Sequence, residues 1–230
     1  EKINKLENSH WWYVGMREIT LSVLAKFTKA QTLEILDVGC GTGGNMVSLK
    51  KFGAVSGVDL NETAINYCKQ KGLTCQVLNM ESITSLNKKF DLLTFFESLS
   101  QLPHQKAYEV IKETNKILNN NGLLLIREPA FGLSSGNHDI DVGTLTRFKK
   151  TELENKLLNN GFTILYSSYI NSLLYIHIVL KRKFDIFLKK GVSSDVYEHS
   201  KLVNSIFSLV LKLENYVLKY FKFSYGVTIL

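Results

Sequence analysis

The chain has 230 residues, 45% of them hydrophobic, and a formal charge of +7. That length suits one α/β domain with an insertion or a small cap, and the apolar fraction excludes a chain too polar to build a core. Cys40, Cys68 and Cys75 are odd in number and lack C-x-x-C spacing, which argues against a zinc site or disulfide framework and for a reduced, cytoplasmic protein. No run of about 18 uncharged apolar residues occurs, so no membrane span is expected. No signal peptide is evident either, and Glu1 as the first residue suggests that the natural start lies upstream. The basic balance suits nucleic acid, an anionic membrane or an acidic substrate. The lysines are spread widely and Asn is abundant, however, so drift in composition explains the charge equally well.

Residues 1–15 are polar and then aromatic, ending in His10-Trp11-Trp12-Tyr13, and residues 16–29 carry a helical apolar pattern. A first strand is predicted over 33–38. It runs into Asp37-Val38-Gly39-Cys40-Gly41-Thr42-Gly43-Gly44, the most informative stretch of the chain. A short β-branched segment ending in closely spaced glycines reads as a buried parallel strand, followed by a turn whose backbone comes close to a nucleotide-like molecule. Gly39, Gly41 and Gly44 satisfy the dinucleotide pattern G-x-G-x-x-G. Asp37 through Gly43 satisfy the D-x-G-x-G-x-G pattern of proteins that bind S-adenosylmethionine (SAM). Electrostatics favours the second. A pyrophosphate seeks the positive end of a helix, and a carboxylate just before the turn opposes it. SAM carries a sulfonium and an ammonium, both of which a carboxylate favours.

A helix starts near Gly44, and strand two is predicted over 54–59. A helix over 62–71 follows, with Asn61 as N-cap and Gly72 as its stop. Strand three spans 73–78, strand four 90–96, a helix 104–119 and strand five 123–128. Short alternating strands and helices predict a mainly parallel sheet with helices on both faces. Ligands bind such sheets at the carboxyl ends of the strands, which singles out the loops there. Asp59 ends strand two, where an acid can accept from both ribose hydroxyls. Asn79 and Met80 follow strand three, where an amide and a backbone N–H can read an adenine edge. Glu97 ends strand four, near the expected reacting methyl group. The long loop 129–147 holds His138, Asp139, Asp141 and Arg147, and His138 beside Asp139 is a candidate base.

A helix over 149–160 and strand six over 162–169 follow. Two amphipathic segments, 171–190 and 198–220, come next, the first apolar and then basic. That combination suits an anionic membrane surface, a substrate cap or a dimer face. A last strand is predicted over 223–230.

In this order the motifs resemble the class I SAM-dependent methyltransferases over nearly the whole chain. More narrowly, they resemble a bacterial and archaeal branch (methyltransferase type 11/12/23-like) often associated with surface-glycan and lipid biosynthesis. The narrower likeness rests on His10-Trp11-Trp12-Tyr13 with Arg17 beyond, on the loop His138-Asp139 to Gly143, Arg147 and Phe148, on Tyr169-Ile170-Asn171, and on Ser224 to Leu230. The resemblance implies a Rossmann-like seven-stranded, mainly parallel sheet in the order 3-2-1-4-5-7-6, its last strand antiparallel, with a helical insertion before that strand. It divides the chain into a lid and helix (1–30), a SAM-binding core (31–170), an insertion or cap (171–222) and a final core strand (223–230). It implies that Asp37, Gly39, Gly41 and Gly43 hold the methionine part of SAM, that Asp59 with Leu60 binds the ribose, and that Asn79 and Met80 bind adenine. Glu97 lies by the methyl group, and Trp12 and Arg17 close over the cofactor as a lid.

Two departures stand out. Leu99-Ser100-Gln101 replaces the L-E-H of many relatives, and Thr144 and Thr146 replace a His and an Arg of the later loop. His138 is then the remaining base in the matched motifs. The expected reaction is methyl transfer from SAM, leaving S-adenosylhomocysteine, to a hydroxyl oxygen of a small-molecule, glycan or lipid-linked acceptor. No metal and no nucleic-acid partner are expected. A peripheral membrane contact through 171–190 and a homodimer are compatible with the pattern. A SAM-binding module without transferase activity and an NAD-dependent oxidoreductase are the rival readings.

Overall fold

A computed structural model describes residues 2–28, 32–131, 143–175, 180 and 200–230. Helices α1 (Lys2–Leu6) and α2 (Trp11–Leu24) precede the sheet. The sheet comprises β1 (Leu33–Val38), β2 (Gly53–Asp59), β3 (Thr74–Val77), β4 (Phe90–Phe96), β5 (Leu118–Pro129), β6 (Tyr169–Ile170) and β7 (Thr228–Ile229), in the order β3-β2-β1-β4-β5-β7-β6. The first five strands are parallel and β7 runs antiparallel to β5 and β6. Parallel neighbours need crossovers. These are supplied by α3 (Gly44–Leu49), α4 (Glu62–Gln70), α5 (His104–Ile117) and, towards the sheet edge, α6 (Lys150–Asn159). Helix α7 (Lys201–Val217) lies in the insertion.

Alternation along the strands sends side chains to two cores. Leu36, Val38, Leu93 and Phe95 pack against α5 and α6 through Val110, Ile111 and Leu153. Ile35, Leu92 and Phe96 face the other way, onto Leu21 and Leu24 of α2 and Leu49 of α3. Outside α2 lies α7, and the two share Trp11, Met16, Ile19, Val23, Leu211 and Leu218. Gly15 makes this contact close: a Cβ there would stand 2.3 Å from Leu211 Cδ1. Gly15→Leu is therefore expected to lower the melting temperature, because overpacking of a filled interface costs about 1–3 kcal/mol. Gly15→Leu combined with Leu211→Ala, which empties that space, should recover part of the loss in the same thermal melt.

Four elements differ from the sequence reading, the first being the last strand, predicted over 223–230 and found as the two-residue β7. Helix α2 begins at Trp11, not at 16, because His10 caps it by accepting from Trp12 N through Nδ1 (3.3 Å). Strand β5 begins at Leu118, inside the stretch expected to end the helix 104–119. Leu118 pairs with Phe90, and Asn119 to Gly122 form an irregularity in the ladder, with Asn121 at φ +60°. Strand β6 is two residues long instead of eight. It is an edge strand that pairs with the short β7 and bridges Phe223 through Tyr169, and among the described residues no strand pairs with residues 162–167.

Candidate functional site

The glycine loop joins β1 to α3 at the carboxyl edge of the sheet. Gly39 N and Cys40 N both donate to Val58 O (2.8 and 3.0 Å), tying the loop to β2. Gly39, Gly41 and Gly43 all have positive φ, the backbone region in which glycine carries no steric cost. Their surroundings differ. A Cβ on Gly39 would lie 2.3 Å from Ser98 Cβ, and one on Gly43 2.4 Å from Leu73 Cδ1, whereas one on Gly41 would meet nothing within 4 Å. The open side of the loop is thus at Gly41.

Asp37 lies beneath this loop and is 1% exposed. Its Oδ1 accepts from Thr94 Oγ1 (2.7 Å), while Oδ2 is buried without a hydrogen-bond partner. Burial pushes its carboxyl up to about 6, partly offset by the Thr94 hydroxyl and the Arg127 guanidinium. Asp59 faces the open side. Its Oδ2 accepts from Gly41 N and its Oδ1 from Asn61 N, both at 2.8 Å. Each oxygen retains a lone pair for a ligand. Leu60, next to it, is 70% exposed. Asn79 caps the 3-10 turn Met80–Leu86 by accepting from Glu81 N (3.0 Å), and Leu78 N donates to Asp59 O, which brings the ends of β2 and β3 together.

At the end of β4, Glu97 has φ +63° and its N donates to Arg127 O (2.8 Å). Its carboxylate stands 3.5 Å from Arg127 Nε, and the Arg127 guanidinium lies 4.8 Å from the Phe96 ring centre. A second acid, Glu128, ends β5 fully buried, and accepts from Leu99 N (2.9 Å) and Ser100 N (3.1 Å). Burial, and after the Leu99 bond the neighbouring Glu97, set its carboxyl, which is pushed up to about 8. Glu128 thereby fixes the turn that carries Leu99-Ser100-Gln101, and Ser100 O in turn accepts from Leu145 N and Thr146 N.

The aromatic N-terminal segment is clamped onto the loop. Glu7 is 5% exposed; it accepts from Thr42 Oγ1 (2.7 Å) and pairs with Lys71, whose Nζ also donates to Thr42 O (2.8 Å). Arg17 donates to Gly44 O (2.6 Å) and to Glu7 O. Arg17 therefore holds the N-terminal segment and the loop together with its guanidinium. Tyr13 belongs to the same segment, and its phenol is pushed up to about 12 by burial and by Glu97 and Glu7, so it is neutral at pH 7. Trp12 packs against the α2–α7 cluster.

The structure thus brings Asp37, Gly39, Gly41, Gly43, Asp59, Glu97 and Arg17 to one edge of the sheet, with Asn79 and Met80 beside Asp59. His138, Asp139 and Asp141 lie outside the described residues, as do residues 176–179 and 181–190 of the segment expected to touch a membrane. Among the described residues no group of His, Cys, Asp and Glu could hold a metal ion, and no helix is long and apolar enough to cross a membrane.

Residues 35–122 match the family model of a methyltransferase domain. The core has the class I methyltransferase fold. Its strand order is the one that fold requires, and a SAM-dependent methyltransferase from Archaeoglobus fulgidus superposes with a TM-score of 0.60 at 18% identity, over 93% of this chain and 91% of that one. Magnesium protoporphyrin IX methyltransferase from Synechocystis, with bound S-adenosylhomocysteine, superposes with a TM-score of 0.57 at 20% identity, over 71% of this chain and 80% of that one. In sequence, the ubiquinone biosynthesis O-methyltransferase of Coxiella burnetii is 37% identical over 76 residues, which is 30% of this chain. The match spans about a third (32%) of that relative's own length.

Glu7 and Glu128 were not singled out from the sequence, and Tyr13 entered only as part of the aromatic start. Glu128 carried a usable signal, since an acid closing an apolar strand at the ligand edge parallels Asp37 and Asp59. Glu7 carried none, because its partners are reached only through the fold.

Proposed function

We propose that the chain transfers a methyl group from SAM to a hydroxyl oxygen of a small-molecule, glycan or lipid-linked acceptor. The observation that carries this reading is the buried, unpartnered Oδ2 of Asp37 beneath the glycine loop. A lone buried carboxylate oxygen is costly unless a donor or cation meets it. The ammonium of SAM is such a group, and the open side at Gly41 admits it. Asp59 would hold the ribose through its spare lone pairs, with Leu60 alongside. Asn79 and Met80 would meet the adenine, and Glu97 would lie nearest the methyl group. SAM supplies the electrophilic methyl when bound. The protein's part is to align the acceptor, and orientation can supply roughly 7–11 kcal/mol of the barrier. A hydroxyl acceptor profits from a base, worth about 10²–10⁴-fold, and His138 is our candidate. The sequence match to enzymes named O-methyltransferases supports an oxygen acceptor.

The dinucleotide reading has an observation against it. The carboxylate of Glu7 stands 2.4 Å from where a Gly44 Cβ would be, so an acid already occupies the helix N-terminus that a pyrophosphate would need. The test is transfer of label from methyl-labelled SAM into a cell extract, split into lipid, glycan, protein, nucleic-acid and small-molecule fractions. Label in the lipid, glycan or small-molecule fraction is the expected result. SAM binding with no label anywhere, acceptor present, would make the chain a binding module.

Asp37 also gives a pH prediction. A carboxyl raised to about 6 in the fold, against 3.8 ordinarily, stabilises the free protein below the ordinary value and loses that contribution as pH rises through about 6. A cation bound to the ionised form reverses this. SAM affinity should therefore rise between pH 5 and 7, with proton release visible in calorimetry as a dependence of heat on buffer. Asp37→Asn should remove that dependence.

A further inference from the structure

Among the described residues, helix α7 has one face buried and another, apolar face exposed. Leu211 and Leu218 pack onto α2 with Phe207 and Val210, and the buried Glu214 accepts from Ser172 N (3.1 Å) and Leu173 N (3.0 Å). On the outside, Leu202, Ile206, Leu209, Leu213 and Tyr216, with Tyr220 in the turn after the helix, are each between 51% and 71% exposed. They follow one another at steps of four and three residues. At about 100° per residue this places them in one stripe roughly 80° wide. Single exposed apolar residues are ordinary, but a contiguous stripe marks an interaction face.

Charge decides the partner. Every exposed charged residue between 200 and 222 is a lysine: Lys201, Lys212, Lys219 and Lys222. Glu214, the one acid in that span, is turned inward. Lys201, Lys212 and Lys219 border the stripe along one side. A second copy of this helix would bring lysines to lysines, with no acid exposed between residues 200 and 222 to pair them. A surface of anionic lipid headgroups offers the complementary charge and accepts the apolar stripe below it, with the tyrosines at the boundary.

We propose that the outer face of α7 docks the protein on an anionic lipid surface. The proposal stands apart from the methyl-transfer reading, because docking is measured without turnover. Asn204 also accepts from Trp11 N (2.8 Å) and donates to Ser9 O (3.0 Å), so the docked helix holds the N-terminal segment from behind.

The test is sedimentation of the full chain with phosphatidylcholine vesicles, with and without phosphatidylglycerol. Binding is expected only to the anionic vesicles, and should fall steeply with salt. Leu209→Gln with Leu213→Gln should weaken it at least tenfold. Lys212→Gln with Lys219→Gln should weaken it about fivefold per lysine. All four positions are exposed, so circular dichroism and melting should be unchanged. Failure to bind anionic vesicles overturns the proposal. So does binding that survives these changes and is abolished by Lys181→Gln, Arg182→Gln and Lys183→Gln. A solution dimer that Leu209→Gln with Leu213→Gln dissociates, without vesicle binding, would assign the face to a second copy instead.

Discussion

Asp59→Ala is expected to weaken SAM binding by a hundredfold or more. Two hydrogen bonds from ribose hydroxyls to a charged acceptor are each worth about 1.5–3 kcal/mol, and about 1.4 kcal/mol is a factor of ten. The substitution also removes the acceptor for Gly41 N and Asn61 N, so the open side of the loop loses its shape as well. Asp59→Asn separates the two effects. It keeps one oxygen but exchanges the other for a donor, so it should retain part of the loop geometry and lose one ribose contact. Calorimetric titration of both variants measures this. An Asp59→Ala protein that binds within threefold of the natural one would remove Asp59 from the site.

Gly39→Ala should be the most damaging single methyl addition in the loop. The residue sits at φ +76°, and the new Cβ would lie 2.3 Å from Ser98 Cβ, itself fixed by donation from Ser98 Oγ to Val38 O (2.7 Å). Left-handed backbone costs a side-chain-bearing residue about 1–2 kcal/mol, and overpacking adds about 1–3 kcal/mol. The melting temperature should fall and SAM binding should be lost with it. Gly41→Ala is the internal control. Its Cβ meets no protein atom within 4 Å, so the fold should lose only the backbone term while the ligand site is obstructed. Adding Ser98→Gly to Gly39→Ala should restore the part of stability that is steric. A Gly39→Ala protein with unchanged melting would show that the loop is not packed as described.

These effects follow from features of unequal legibility. The β1 strand, the glycine loop and Asp59 were readable because each is local. A β-branched run, glycines where the backbone needs positive φ, and an acid at the right distance along the chain specify them without the rest of the fold. The strand order was implied by the family resemblance alone, since the alternation of strands and helices specifies only a mainly parallel sheet. The clamp of the N-terminal segment onto the glycine loop was not readable. Glu7 meets Thr42 and Lys71 only because α1 and α2 fold back over the loop, and nothing in its neighbourhood in sequence marks an acid that will be buried. Arg17 was read as closing over a ligand, and the structure shows its guanidinium on Gly44 O and Glu7 O. Edge strand β6 was over-read because alternation persists through residues 162–167, whereas pairing depends on a neighbour, and among the described residues no strand pairs with them. The buried face of α7 was legible as an amphipathic pattern. Its outer stripe was not, because the pattern alone cannot tell which apolar face the core takes.

The central claim is that the open side of the glycine loop is a SAM site. Calorimetric titration of the purified chain with SAM, S-adenosylhomocysteine and NAD tests it most directly. Saturable one-to-one binding of the two adenosyl compounds, abolished by Asp59→Ala, with no heat from NAD, is the predicted result. Binding of NAD with no response to either adenosyl compound would contradict the account.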